Sequence, residues 1–185
     1  MKSNQEFTGR YSLQNKSLKD RYDNTIRFLK KSVNPPTKIL DLGIHSLLSE
    51  LMIQNNYIVT NTEKGIDLDE AYSNIDTTGY DLVTAFEIFE HLVAPYNILK
   101  EIKAPQLIAS IPLKLWFAPA YWNDNDPWDR HYHEFEPRQF DMLLEKSGWK
   151  IISSEKWISK SYKIGLRPLL RRFNPRYYIV HCVRK

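Results

Sequence analysis

With one cysteine, Cys182, in 185 residues, the chain can form no internal disulfide and no cysteine-rich metal site. No apolar run approaches the roughly 20 residues that a membrane helix needs. Residues Met1 to Glu6 have no apolar stretch behind them, so no secretory signal is expected and the expected location is cytoplasmic. Glycine is scarce, with six in all. The Gly-x-Gly-x-x-Gly pattern of a dinucleotide loop is absent after the first predicted strand, which argues against a nicotinamide-dependent oxidoreductase. There is no internal repeat and no low-complexity tract. What is present is an ordinary globular balance, 42% hydrophobic and 26% charged, at a length that suits a single domain with one sizeable core. Charge is uneven along the chain. From Lys150 to Lys185 ten Lys or Arg face one acid, Glu155, while the rest carries 16 basic and 21 acidic residues. Such a basic segment attracts anionic partners.

The apolar spacing predicts alternating helices and strands. Leu18, Tyr22, Ile26 and Leu29 share one face of a helix that Asn34-Pro35-Pro36 ends. Ile39–Leu42 reads as a buried strand, Leu47–Gln54 as a helix and Tyr57–Thr60 as a second strand. Asp81–Phe86, Leu107–Ile111, Trp149–Ser153 and Tyr177–Val183 are further strands, with helices predicted at Pro95–Lys103 and Pro137–Lys146. This alternation implies parallel βαβ units. Between Trp116 and His133 the chain is aromatic and acidic with no clean period. Residues 1–37 form an N-terminal helical segment, 38–113 a ligand-binding half, and 114–185 a loop, a last helix and a closing hairpin.

Three features fall where an open α/β sheet binds its ligand. The first is the turn Asp41-Leu42-Gly43. The second is the end of the second strand, Thr60-Asn61-Thr62-Glu63, where a carboxylate could accept both hydroxyls of a ribose. The third is Phe86-Glu87-Ile88-Phe89-Glu90-His91-Leu92. With His133-Glu134-Phe135-Glu136-Pro137-Arg138-Gln139-Phe140 and Leu143-Leu144-Glu145-Lys146-Ser147-Gly148-Trp149, these segments resemble the small class I S-adenosylmethionine-dependent methyltransferases that carry a Glu-His pair. The resemblance spans Lys38 to Ile152. It implies an α/β fold with a single Rossmann-like, doubly wound sheet, mostly parallel with an antiparallel C-terminal strand. It also implies S-adenosyl-L-methionine as cofactor, its methionine end held at Asp41 and Gly43 with Ile44 beside them, its ribose at Glu63, and Phe86 and Glu87 alongside. Asp67 is the candidate acid near the adenine. Two departures stand out. Ile44-His45-Ser46 replaces the usual glycine-rich continuation, and the short stretch from Glu63 to Asp81 predicts a reduced or missing helix.

Methyl transfer to oxygen or nitrogen releases a proton, and His131, His133 and His91 are the candidate bases. Each of them also suits a structural hydrogen-bonding role, the reading the sequence favours. No pair of histidines shows convincing metal spacing, so no metal is expected. Trp116, Tyr121, Trp122 and Trp128 suggest a substrate lid whose rings could stack on a small acceptor such as a sugar or glycan precursor. The proline-rich tetrapeptide of nucleic-acid amino-methylating enzymes is absent, which argues against a nucleic-acid substrate. The basic, partly apolar stretch 160–173 fits an anionic membrane surface, an acidic substrate or a solvated extension of the hairpin. The rival to an enzyme is a methyltransferase-like domain that only binds a ligand or partner.

Overall fold

The computed structural model describes residues 15–159 and 165–185. The first helix, α1, runs from Lys16 to Ser32 and is capped by the Asn15 side chain, which accepts from the N–H groups of Ser17 and Leu18. Strand β1 (Lys38–Asp41) leads through a turn to α2 (Leu47–Gln54), and β2 (Ile58–Asn61) follows. After a strandless stretch come β3 (Leu82–Phe86), α3 (Pro95–Glu101), β4 (Gln106–Pro112), α4 (Pro137–Lys146), β5 (Trp149–Trp157), α5 (Leu166–Arg171) and β6 (Tyr177–Arg184). Short 3₁₀ turns lie at Tyr72–Asn74, Phe89–His91 and Pro127–Asp129.

The six strands form one sheet in the order β2-β1-β3-β4-β6-β5. The pairs β1·β2, β1·β3 and β3·β4 are parallel. Strand β6 is antiparallel to both β4 and β5, so it alone runs against the rest. The expected mostly parallel, doubly wound sheet with an antiparallel C-terminal strand is therefore what forms. Period-two alternation distributes the apolar residues over two faces. Leu40, Val83, Leu107, Ala109 and Val180 join the core under α3 and α4 with Phe140, Leu144 and Trp149. Ile39, Leu82, Ile108 and Ile179 join the core under α1 and α2 with Phe28, Leu29 and Met52. Both faces are covered, as a parallel sheet requires. Trp149 anchors the C-terminal side: its Nε1–H donates to the Leu99 carbonyl, and the Arg184 guanidinium stacks 4.5 Å from its ring.

Residues 62–81 contain only the 3₁₀ turn Tyr72–Asn74, in line with a reduced helix. No strand lies between β2 and Asp67, whose carboxylate accepts from the Asp69 N–H. Helix α5 was not anticipated from the basic stretch. Lys160 to Ile164 of that stretch lie outside the described residues. Among the described residues no helix is long and apolar enough to cross a membrane.

Candidate active site

The chain leaves β1 for β2 on one side and returns to β3 on the other. The carboxyl ends of β1 and β3 thus flank the switch point of the sheet, where ligands of open α/β sheets bind. A cavity of about 450 Å³ lies there, lined by Asp41, Gly43, Ile44, Phe86, Glu87 and His91, with α1 contributing Leu18, Arg21 and Tyr22. That volume suits a nucleoside-sized ligand.

The β1 turn is held by short polar side chains rather than by glycines. Asp41 is buried and accepts from Thr84 Oγ1 at 2.7 Å, Asn61 Nδ2 at 3.0 Å and Ser49 Oγ at 3.4 Å. Burial pushes its carboxyl up to about 6 against the pull of those hydrogen bonds. The Gly43 N–H donates to Thr62 Oγ1 at 2.9 Å, and Asn61 Nδ2 also reaches the Gly43 carbonyl at 3.2 Å. Gly43 has φ 156°, and a Cβ there would meet Ile88 Cδ1 at 3.4 Å. Ile44, at 55% exposed, forms the rim. His45 turns away to Glu50, Nε2 to Oε1 2.6 Å.

At the end of β3, Glu87 adopts a left-handed backbone with φ 57°, an uncommon state for a residue with a side chain. Its carboxylate is ion-paired with Arg21 of α1 across the cavity. Burial opposes the Arg21 charge most strongly, but Glu87, Tyr177 and Tyr22 outweigh it and hold the guanidinium above its ordinary value. The Arg21 guanidinium also lies over the rings of Tyr22 and Tyr177, at 5.4 and 5.7 Å. Sequence reasoning missed Arg21. Its signal was a cation on the buried Leu18-Tyr22-Thr25 stripe, where a solvated helix would place it outside.

The turn after β3 meets the aromatic loop at backbone level. The Glu90 carbonyl accepts from the N–H groups of Tyr132 and His133, at 2.8 and 3.2 Å. This brings His131 edge-on to His91, with ring centroids 4.9 Å apart. His91 Nδ1 lies 3.0 Å from the Arg130 carbonyl, and His131 Nδ1 lies 3.1 Å from Glu134 Oε1. Burial, helped by His91, lowers the His131 pKa. His133 is placed differently: its Nε2 meets the Val93 carbonyl and its ring stacks on Phe135. The fold therefore brings His91 to the cavity and His131 beside it, while His133 is bound up in the loop.

Glu63 is exposed, outside the cavity lining, two residues past the last β2 pair, Asp41 with Asn61. Asp67 lines a second cavity of about 440 Å³ with Ile88, His91, Trp128 and Tyr132. Asp69 beside it accepts from the N–H groups of Val93 and Ala94, which fixes the start of α3. Of the four expected lid residues only Trp128 lines either cavity. Trp116 packs edge-on against Phe117, Trp122 against Tyr132 with Arg130 over its ring, and Tyr121 against His131.

No family model and no curated protein matches this chain. Solved structures do. The 1,6-didemethyltoxoflavin-N1-methyltransferase of Burkholderia thailandensis, with 1,6-didemethyltoxoflavin and S-adenosylhomocysteine bound, is 15% identical. That match covers 91% of this chain and 78% of that one, with a TM-score of 0.61. A SAM-dependent methyltransferase of Archaeoglobus fulgidus is 14% identical over 89% and 94% of the two chains, TM-score 0.59. The [4+2]-cyclase SpnF is 11% identical over 88% and 81%, TM-score 0.54. At such identities the likeness establishes the fold, that of the class I S-adenosylmethionine-dependent methyltransferases. The cyclase is a reminder that function resides in the site rather than the fold.

Proposed function

We propose that this chain is an S-adenosylmethionine-dependent methyltransferase acting on oxygen or nitrogen of a small-molecule acceptor. The observation that carries the reading is the cavity at the switch point, edged by Gly43 and by the left-handed Glu87. Strain of this kind is kept where a site needs it. The cofactor supplies an already activated sulfonium methyl. The chain's residues bind, orient and shield. Arg21 offers a guanidinium to the carboxylate of the methionine end, and Glu87 an acceptor to its ammonium. Asp41 braces the turn from beneath, with its oxygens shared among Thr84, Asn61 and Ser49. Phe86 and Ile44 supply apolar walls that exclude water. With Nδ1 turned to the Arg130 carbonyl, His91 keeps Nε2 to accept a proton from the acceptor. Glu63 has no part in this reading, because it lies outside the cavity lining.

A ligand-binding domain without catalysis is the second reading. It is favoured by the Arg21–Glu87 pair across the cavity and by the Gly43 N–H being taken by Thr62. Calorimetric titration separates the cases. S-adenosylmethionine and S-adenosylhomocysteine are expected to bind with one site per chain. Absence of heat at millimolar cofactor would overturn the proposal. Binding without methylation of any acceptor in a broad hydroxyl and amine panel would favour the second reading.

A further inference from the structure

Glu90, next in the chain to the His91 that lines both cavities, has a buried, orphaned carboxylate. The residue is 1% exposed, and neither Oε1 nor Oε2 has a hydrogen-bond partner among the described residues. A carboxyl group in that state either keeps a proton or pairs with a cation. Two imidazoles stand beside it. His91 Nε2 stands 3.8 Å from Glu90 Oε1, and one ligand atom each of Glu90, His91 and His131 all fall within 4.8 Å of one another. Both rings are oriented from behind. His91 Nδ1 is held by the Arg130 carbonyl and His131 Nδ1 by the Glu134 carboxylate. Such partners fix the tautomer and direction of metal-binding histidines, leaving Nε2 with the lone pair.

We propose that Glu90, His91 and His131 form a binding site for one first-row divalent cation. Two imidazoles and one carboxylate favour zinc, iron or nickel over magnesium or calcium, which prefer oxygen-only shells. Atoms bound at about 2.1 Å to one tetrahedral ion stand about 3.4 Å apart, so a pair at the 4.8 Å limit must close by roughly 1.4 Å. That movement falls to the His91 and His131 side chains, because the loop backbone is held by the Tyr132 and His133 N–H groups on the Glu90 carbonyl and by the His131 N–H on the Tyr121 carbonyl. His91 lines both cavities, which brings the cluster to the edge of each. A bound ion takes the Nε2 lone pair of His91, which then serves as a ligand and not as a proton acceptor. The site itself does not depend on methyl transfer.

The experiment is equilibrium dialysis of the full chain, stripped with chelator, against zinc and against magnesium at micromolar protein. One equivalent of zinc is expected, with magnesium at least roughly tenfold weaker. His91→Ala and His131→Ala are each expected to weaken zinc at least roughly tenfold, the lower end of what losing even an outer-shell partner costs. His45→Ala removes an exposed histidine that pairs with Glu50 off the cavity, and should leave zinc binding unchanged. Glu90→Gln guards against misfolding. A neutral amide suits the buried position, so this variant should melt no lower than the metal-free protein, yet lose the rise in melting temperature on adding zinc. No zinc binding, magnesium binding as tight as zinc, binding that survives both His91→Ala and Glu90→Gln, or loss on His45→Ala would overturn the site. Because dialysis reads metal and calorimetry reads cofactor, failure of one proposal is distinguishable from failure of the other.

Discussion

At the scale of single residues, the candidate site is defined by groups whose surroundings contradict their chemistry. Arg21 is a half-buried cation on an apolar stripe, Glu87 a side-chain-bearing residue in a left-handed backbone, and Glu90 a carboxylate with no hydrogen-bond partner among the described residues. Arg21 and Glu87 answer one another across the cavity, which makes Arg21 the residue to remove. Arg21→Ala takes away the guanidinium assigned to the methionine carboxylate and leaves Glu87 facing that anion. S-adenosylmethionine affinity should fall roughly tenfold or more, the order of one charge-assisted hydrogen bond. Arg21→Lys should recover part of it. Titration calorimetry of the three proteins decides the matter, and equal affinities would remove Arg21 from the site. Local spacing marks Arg21 and Glu87 but not their pairing. The Glu87 conformation depends on the strand end into which it is built, where its N–H donates to the Ser110 carbonyl.

At the scale of elements, α1 does two jobs. Its Phe28 and Leu29 cover the sheet, while Leu18, Arg21 and Tyr22 at its N-terminal end wall the cavity. The cap at Asn15 therefore sits at the functional end. Asn15→Ala should cost about 1 kcal/mol of stability by leaving the first-turn donors without their acceptor. It should also weaken cofactor binding severalfold, because fraying begins beside the cavity wall. Denaturant unfolding and calorimetry measure the two effects. Stability loss with unchanged affinity would show that this end of α1 is a structural cover alone. The helix itself was legible: the Leu18, Tyr22 and Leu29 spacing survives in the fold as the buried face. So were α2 and α4, whose predicted and observed limits coincide at Leu47–Gln54 and Pro137–Lys146. Strand β5 starts where predicted, at Trp149, and runs past Ser153 to Trp157, although Ser154 to Lys156 are polar on an edge strand. They pair there only because β6 offers a complete ladder out to Tyr177.

At the scale of the whole molecule, stability and pH are linked through Asp41 beneath the cofactor turn. Its folded pKa is raised from 3.8 to about 6, with burial as the first cause and the hydrogen bonds and His45 opposing it. A raised carboxyl stabilises the fold fully below the unfolded value, and that contribution is lost as pH rises through about 6. The loss amounts to about 3 kcal/mol. The chain should therefore lose stability between about pH 4 and pH 6.5 through this group. Asp41→Asn should flatten that part of the curve whatever its effect on absolute stability. Denaturant midpoints across the range test this, and an unchanged slope in Asp41→Asn would remove the assignment.

The sequence by itself determined the alternation of helices and strands, the switch point at Asp41-Leu42-Gly43 and the nearness of Phe86 and Glu87 to it. Each of these follows from local periodicity and from the right-handed winding of βαβ units. Only the tertiary structure decided which polar side chains face the cavity. Glu63 lies past the last pair of β2 and turns outward, whereas Arg21 arrives from a helix that precedes the sheet. His131 reaches His91 and Glu90 across some forty residues because two N–H groups of its loop bond to the Glu90 carbonyl. Contacts between residues so distant depend on how the backbone closes, and side-chain spacing along the chain carries no trace of that closure.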